Sequence, residues 1–261
     1  MKSKTYKVVS TIYMVLIFTF LYLPIAILII YSFNKSRLNV IWTGFTFDWY
    51  KRLMQDQDVL NALMNSLKVA FISTTLSTMI GIMTSVGMYK YKFRGKSVLD
   101  ALLYIPIVIP EVVMGISLLV FFNMVHVPSG LLTLILAHIT FSVPFIVMVV
   151  NARLAGFDKS LEEASMDLGA TQWETFWKVT LPLIMPGVVA GALLAFTLSI
   201  DDVTVSFFVA GPTSTTLPLK IFSMVKFGVS PEINALSTIM IFITLSLALI
   251  GEKIRFSKQN N

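Results

Sequence analysis

The longest uncharged stretch of this sequence, residues 112–152, determines the class of fold. A helix needs about 20 largely apolar residues to cross the hydrocarbon core of a bilayer, so the stretch is long enough for more than one crossing. Within it, Val127-Pro128-Ser129-Gly130 has the composition typical of a turn. We therefore predict two membrane-spanning helices that are joined at this turn.

The overall composition is that of a membrane protein. Of the 261 residues, 56% are hydrophobic and 13% are charged, and the mean hydropathy is +0.81. In a soluble domain about a quarter of the residues are charged. Cysteine is absent, which excludes disulfides, thiolate metal sites and thiol catalysis. The net charge of +6 comes from basic residues beside apolar segments, so membrane topology explains it better than nucleic-acid binding.

Six segments are long and apolar enough to span a membrane. The first follows the residues MKSKTYK and resembles a signal peptide only superficially, because its apolar core is too long and no small-residue cleavage site follows. The sequence has no internal repeat, low-complexity tract or soluble domain. The predicted fold is an all-α membrane protein with one domain over residues 1–261. Its predicted spans are 12–31, 65–88, 100–122, 131–150, 187–209 and 233–251.

The distribution of lysine and arginine predicts the orientation of these spans. With six spans, both termini and the second and fourth connections lie on one side, which carries thirteen of these residues against seven on the other. Positive charge is concentrated on the cytoplasmic side of membrane proteins. Both termini are therefore predicted to be cytoplasmic, and so is the fourth connection, residues 158–186.

This 158–186 segment is not simply apolar, and it has the pattern of two short helices. Ser160 and Glu163 form a capping box for the first helix, and Gly169 is placed to end it. Thr171 and Glu174 repeat the capping box for the second helix. One interpretation is an amphipathic pair in the headgroup layer, since tryptophans favour that depth. The apolar stripes are Leu161, Ala164, Ser165 and Leu168, then Trp173, Phe176, Trp177 and Thr180, before Pro182 and Pro186 end the second helix.

Three acidic residues fall inside predicted spans. Glu111 lies about halfway along the third span, and Asp201 and Asp202 lie in the fifth. An aspartate at mid-bilayer costs about 2.5–3.5 kcal/mol on insertion scales, so such residues usually face a cavity and carry function. Because the spans offer them no lysine or arginine partner, the acids indicate a path for a cationic cargo. Pro106 and Pro110 are expected to break or kink the third helix.

An alternative for the two aspartates remains open. One of them could pair with a hydroxyl such as Ser199 or Thr204, or with Lys220 across the following loop. The single histidine of the fourth span, His138, has the context of a hydrogen-bonded packing residue rather than of a ligand. With His126 isolated in an outer turn, the sequence predicts no metal site.

The first outer loop, residues 32–63, is rich in aromatic residues, including Trp42. Such rings are typical of an interfacial segment at headgroup depth. The alternative is an outer scaffold near the mouth of a path, where a tryptophan could also meet a cationic substrate.

No enzyme is predicted from this sequence. It lacks the phosphate-binding pattern G-x-x-x-x-G-K-[ST] and any nucleophile–base constellation, so we expect no cofactor in this chain. If ATP drives transport, the ATP and Mg are bound by another polypeptide.

The residues Glu163-Ala164-Ser165, then Gly169, then Val179-x-Leu181-Pro182, resemble the EAA loop of ABC-importer permeases. The spacing matches without gaps, although Ser165 replaces an alanine and Val179 an isoleucine. In that family the loop docks into a groove of the cytoplasmic ATPase and transmits its closure to the membrane helices. The resemblance therefore implies ATPase-coupling roles for Glu163, Ala164, Gly169, Leu181 and Pro182.

The resemblance extends over nearly the whole chain to the spermidine/putrescine type of these permeases. The matching residues are Phe33-Asn34, Trp42-x-Gly44-Phe45-Thr46-x-x-Trp49-Tyr50, Tyr89-x-Tyr91-x-Phe93-Arg94-Gly95-Lys96, Phe196-Thr197-Leu198-Ser199-x-Asp201-Asp202-Val203, Leu217-Pro218-Leu219-Lys220-Ile221-x-Ser223-Met224-Val225-Lys226 and Ser230-Pro231-Glu232-x-Asn234-Ala235-Leu236. The cargo implied is a polyamine, with ferric iron or an aminophosphonate as alternatives. A rival of another class is an ATP-independent cation transporter.

The same resemblance implies a complete machine in a bacterial inner membrane. This chain would have the type I importer permease (MetI-like) fold and pair with a second, PotB-like permease. Two copies of a PotA-like ATPase and a PotD-like substrate-binding protein would complete the assembly. We hypothesise that Glu111, Asp201 and Asp202 line the substrate path, with Glu232 at its outer mouth and Trp42 in the outer loop.

Overall fold

The computed structural model describes residues 2–36, 41–226, 228 and 230–257. Arg37 and Lys258, which were counted for the orientation of the spans, lie outside these residues. The described chain is helical, apart from its connections and an isolated antiparallel bridge between Asn34 and Phe45. The predicted all-α class is confirmed.

The helices, in chain order, are α1 (Lys2–Tyr31), α2 (Asp48–Gln55), α3 (Gln57–Lys90), α4 (Lys96–Val108), α5 (Glu111–Met124), α6 (Leu131–Leu154), α7 (Ser160–Asp167), α8 (Gln172–Thr175), a π-helical turn (Phe176–Thr180), α9 (Leu181–Asp201), α10 (Thr204–Val209), α11 (Leu217–Val225) and α12 (Pro231–Ser257).

Four helices are long and apolar enough to cross a membrane, within the described part of the chain. They are Tyr6–Tyr31, Gln57–Lys90, Leu131–Leu154 and Gln172–Asp201. A fifth crossing is reached if α4 and α5 count as one broken span, and α12 contributes a shorter apolar helix, Pro231–Ser246. The six crossings and the cytoplasmic termini therefore stay predictions.

The predicted break in the third span is confirmed at Pro110. α4 ends at Val108, α5 begins at Glu111, and the two helices are bent by 111°. Pro106, in contrast, lies inside α4 without ending it. A proline removes one backbone hydrogen bond, and near the end of a membrane helix this loss is tolerated.

The predicted bounds of the fifth span, 187–209, are wrong at both ends. The helix is continuous from Gln172 to Asp201 and passes through Pro182 and Pro186, which were expected to end the preceding helix. Pro182 lies in the first turn of α9, where a missing N–H costs least. The residue four before it belongs to the wider π-helical turn, which changes the hydrogen-bonding register.

Close packing of α6 on α9 accounts for two glycines that the sequence places four residues apart. A Cβ at Gly187 would lie 3.0 Å from Cβ of Arg153, and one at Gly191 would lie 3.3 Å from Cα of Ile146. Both glycines therefore allow the two helices to approach, as the G-x-x-x-G spacing indicates. Beneath this contact lies a core cluster of Val86, Ile146, Val150, Leu154, Ile184, Val188 and Ala195.

The chain divides into two compact units. One takes residues 1–60 and 221–243, and the other takes 61–220 and 244–261, each within its described residues. In the first unit, the indole N–H of Trp49 donates to the carbonyl of Asn34 at 2.7 Å. The rings of Phe33 and Phe45 stack beside it at 5.0 Å, so the aromatic outer loop is a packed cluster of rings. The single membrane domain remains a prediction.

Candidate functional site

A cavity of about 380 Å³ in the second unit is lined by residues of α4 and α5 and by residues of α9 and α10. Between α9 and α10 the chain is not helical at Asp202 and Val203. Glu111, the first residue of α5, and Asp201, the last residue of α9, both line it and are exposed. Phe141 and Phe145 of α6 also line the cavity. Its volume falls within the roughly 300–1,000 Å³ typical of ligand pockets. The cavity therefore combines two carboxylates with aromatic surface.

Asp202 lines the same cavity, but its carboxylate is already occupied. Oδ1 accepts the backbone N–H of Val205 at 3.1 Å, and Oδ2 accepts that of Ser206 at 2.8 Å. The Ser206 hydroxyl donates to Oδ2 as well, at 2.7 Å. Asp202 therefore caps α10. The alternative that one aspartate pairs with a hydroxyl is confirmed in kind, although the partner is Ser206 rather than Ser199 or Thr204.

A buried polar network continues from Asp202 into the core. His138 is fully buried, and its Nε2 lies 3.1 Å from the Ser206 hydroxyl and 3.5 Å from Asp202 Oδ2. Its Nδ1 lies 2.6 Å from the hydroxyl of Ser199, which in turn lies 3.3 Å from that of Ser73. His138 is thus a hydrogen-bonded packing residue, as predicted. Its link to Asp202 could not be predicted from the sequence.

Residues at four helix ends border the cavity. Residues at the C-terminal ends of α4 and α9 line it, and so do residues at the N-terminal starts of α5 and α10. Helix N-termini carry partial positive charge, and C-termini carry partial negative charge. Glu111 and Asp202 sit at the two N-terminal ends and offset their positive charge. The cavity is therefore left with a negative balance, which favours a cation.

Trp42 and Glu232 belong to the other compact unit. Trp42 is 44% exposed and meets Tyr31 edge-on, with ring centroids 6.2 Å apart. Glu232 is half-buried in the first turn of α12. Their predicted place on a substrate path is not tested by these positions and stays a prediction.

The first helix of the 158–186 segment begins differently from the prediction. The predicted capping box of Ser160 with Glu163 is wrong. The Ser160 N–H donates to Oδ1 of Asp158 at 3.0 Å rather than to the carboxylate of Glu163. The same hydrogen bond holds the pKa of the Asp158 carboxyl below its usual range. An Asp two residues earlier competes successfully for this N–H because its short side chain closes an Asx turn.

The rest of the segment follows the predicted pattern. Gly169 ends α7 with φ of +92°, a left-handed conformation that glycine adopts without strain. Thr171 and Glu174 form the predicted capping box: Thr171 Oγ1 accepts the Glu174 N–H at 3.2 Å, and a Glu174 carboxylate oxygen accepts the Thr171 N–H at 2.9 Å.

Several residues of the EAA motif are exposed. Glu163, Ala164 and Gly169 are exposed, and the side chain of Leu168 between them is 90% exposed. Further along, Pro182 is exposed and Leu181 is half-buried against the core cluster beneath α6 and α9. Glu163, Ala164, Leu168 and Gly169 are therefore accessible to another protein.

Glu162, the neighbour of Glu163, points inward and was missed by sequence reasoning. Its residue exposure is 8%, and its Oε1 lies 2.9 Å from the ammonium of Lys90 at the end of α3. The hydroxyl of Thr180, at the end of the π-helical turn, donates to the same oxygen. The signal available in the sequence was the i, i+3 pair Glu162 and Ser165, which places a second, polar face on α7.

Comparison with known proteins identifies the family. Residues 77–254 match the family described as binding-protein-dependent transport system inner membrane component. The chain is 47% identical over 246 residues to the spermidine/putrescine transport system permease protein PotC of Escherichia coli (strain K12), covering 94% of this chain and 93% of that protein. The chain belongs to this family of permeases.

A second group of relatives lies within the same family. The chain is 43% identical over 231 residues to the putrescine transport system permease protein PotI of Escherichia coli (strain K12), covering 86% of this chain and 82% of that protein. The permease family thus confirms the resemblance carried by the EAA motif. It also makes the chain a transport subunit rather than an enzyme.

Solved structures confirm the fold of the permease. A crystal structure of a bacterial ABC transporter for the import of the acidic polysaccharide alginate matches with a TM-score of 0.78 at 17% identity, covering 98% of this chain and 96% of that one. An inward-facing structure of the MetNI methionine ABC transporter matches with a TM-score of 0.65 at 19% identity, covering 82% of this chain and 99% of that one. The MetI-like permease fold is therefore the fold of this chain.

Proposed function

We propose that this permease is a membrane subunit of an ATP-driven importer of polyamines, spermidine or putrescine, and forms the translocation path with a second permease. The observation that carries the cargo is the cavity with Glu111 and Asp201 beside Phe141 and Phe145. The 43–47% identity of the chain to permeases named for spermidine and putrescine supports the same cargo.

The chemistry of the cavity fits an alkyl chain that carries ammonium groups. The carboxylates attract the ammonium groups, and the aromatic faces of Phe141 and Phe145 favour cations through their ring quadrupoles. The same rings offer apolar contact to the methylene groups between the charges. Glu232 and Trp42 are further residues proposed to meet the cargo.

An aminophosphonate is the alternative cargo with support from a relative. The chain is 28% identical to a putative 2-aminoethylphosphonate transport system permease protein, PhnV, of Salmonella paratyphi A. A phosphonate would bring negative charge to a cavity that three carboxylates, Glu111, Asp201 and Asp202, already line, so the charge of the site favours the polyamine. Ferric iron is a further alternative; in the described residues, no group of three or more His, Asp or Glu side chains could hold a metal ion.

The proposed assembly contains a PotB-like permease, two PotA-like ATPases that bind the ATP and Mg, and a PotD-like binding protein. In this proposal the chain crosses the bacterial inner membrane six times with both termini in the cytoplasm. The outward face of α7, with Glu163 and Ala164, and the following Gly169 dock on an ATPase. Leu181 and Pro182 join that docking segment to α9.

Uptake of labelled spermidine into proteoliposomes tests the proposal. The liposomes contain this chain with the partners that purify with it, and are supplied with binding protein, with and without ATP. We expect ATP-dependent uptake that excess unlabelled putrescine blocks. Stimulation of ATP hydrolysis by the binding protein without spermidine uptake would keep the importer and reject the cargo. Uptake that is indifferent to ATP would favour the cation transporter instead.

A further inference from the structure

We propose that Glu162 is a positioning residue that fixes the orientation of α7 to α3 and α9 at once, and so carries the movement of the ATPase into the membrane helices. This inference rests on the proposed ATP-driven import. It concerns a residue that adjoins the EAA motif and faces away from the surface proposed to dock.

The geometry places one carboxylate oxygen at the meeting point of three elements. Oε1 of Glu162 lies 2.9 Å from Nζ of Lys90, the last residue of α3. The same oxygen accepts the hydroxyl of Thr180, the last residue before α9. A displacement of α7 therefore acts through a single atom on the ends of two long apolar helices.

Burial makes this contact different from an ordinary surface ion pair. The side chains of Lys90 and Glu162 are 22% and 11% exposed, and Thr180 is fully buried. Breaking a buried pair by removal of one partner leaves an uncompensated charge, so the contact resists separation. The ion pair of Glu174 with Lys178 in the same segment has side chains 45% and 72% exposed, and pairs of that kind contribute little.

Neighbouring contacts also hold α7 against the end of α3 and against α8. The ammonium of Lys159 lies 5.1 Å from the ring centroid of Tyr89, the residue before Lys90, and that ring meets Phe157 edge-on at 6.1 Å. The hydroxyls of Ser165 and Thr175 lie 3.1 Å apart and join α7 to α8. α7 is thus held on its polar inner face while its outer face, with Glu163 and Leu168, stays exposed.

The test measures how many spermidine molecules are imported per ATP hydrolysed, in proteoliposomes with the complete transporter. The variants are Lys90→Met, Glu162→Gln and the charge swap Lys90→Glu with Glu162→Lys. Lys178→Met is the matched control, because it removes an ammonium from an exposed glutamate pair of the same segment. Co-purification of the ATPase is measured for every variant.

We expect both single variants to retain at least half of the ATP hydrolysis of the wild type and to import at least fivefold less spermidine per ATP. The swap should recover at least half of the wild-type ratio, and Lys178→Met should stay within twofold. A ratio within twofold of the wild type in Lys90→Met and Glu162→Gln would overturn the inference.

Two further results would also overturn it. One is a swapped complex that assembles but imports no better than the single variants, because restoring the pair would then restore nothing. The other is loss of ATPase co-purification in the single variants and the swap alike, which would make the pair purely structural. Absence of ATP-dependent uptake in the wild type would instead reject the proposed function.

Discussion

Ser206 donates both its backbone N–H and its hydroxyl to Oδ2 of Asp202, at 2.8 and 2.7 Å. Asp201, the residue before it, lines the same cavity and is exposed. Two adjacent aspartates therefore have different surroundings: one carboxylate is held by the start of α10, and the other faces the space where a cargo would pass. Their substitutions should separate transport from stability.

Asp201→Asn should impair transport while leaving the folded protein intact. A hydrogen bond to a charged group contributes about 1.5–3 kcal/mol, and each 1.4 kcal/mol is about tenfold in affinity. We expect the KM for spermidine uptake to rise about tenfold or more, with unchanged thermal unfolding in detergent. Unchanged uptake would remove Asp201 from the proposed path.

Asp202→Ala should instead destabilise the protein. The change leaves the N–H groups of Val205 and Ser206 and the Ser206 hydroxyl without their acceptor, at a cost of about 1–3 kcal/mol. We expect a lower unfolding temperature, measured by the fluorescence of the purified chain in detergent. A variant that unfolds like the wild type but no longer transports would show that Asp202 meets the cargo directly.

Glu163→Lys should uncouple ATP hydrolysis from uptake. The side chain is exposed on the face of α7 proposed to dock on the ATPase, so the substitution reverses a charge there without disturbing the core. We expect normal insertion into membranes, continued ATP hydrolysis by the complex, and at least tenfold less spermidine uptake. Normal uptake in this variant would contradict the coupling role of Glu163.

Gly81→Ala should destabilise the packing of α3 on α6. A Cβ at Gly81 would lie 2.6 Å from Cγ2 of Ile146, which is fully buried and cannot move away freely. Overpacking of this kind costs about 1–3 kcal/mol. The expected result is a lower unfolding temperature in detergent.

Gly87→Ala, in the same helix, is the matched control for that change. A Cβ there has no neighbouring atom within 4 Å, and alanine favours a helix over glycine by up to about 1 kcal/mol. Its unfolding temperature should equal or exceed that of the wild type. Equal destabilisation by both substitutions would show that contact with Ile146 is not the cause.

The charged residues of the cavity could be predicted because a carboxylate within an apolar segment is costly in a membrane and is therefore expected to face a cavity. The break at Pro110 could be predicted because proline lacks the backbone N–H that a continuous helix needs. The link from Asp202 to His138 could not be predicted, since His138 lies far away in sequence and hydropathy carries no information on which helices adjoin. Only the packing of α6 on α9 brings the two together.

Sequence reasoning singled out Glu163 in α7 and missed the buried contact of its neighbour Glu162. Glu163 matches a motif, whereas Glu162 acquires its importance from Lys90, which is contributed by another helix. The continuous helix from Gln172 to Asp201 was missed for a related reason. Prolines are strong local signals for a helix end, and the π-helical turn that accommodates Pro182 has no comparable signal in the sequence.

The π-helical turn at Phe176–Thr180 also sets an angle. Each residue of an α-helix advances about 100° around the axis, and a π-helical turn holds close to one residue more than an α-helical turn. Every side chain after Thr180 is therefore rotated by about that angle from the position it would have if α8 continued as a regular α-helix. Closing this turn to regular α-helix with all of its residues kept would rotate Asp201 by about 100° away from the cavity, whereas deleting one residue of the turn would keep Asp201 in place. Which face of the membrane helix meets the cargo is thus a question of phase, decided several turns earlier, beside the segment proposed to meet the ATPase.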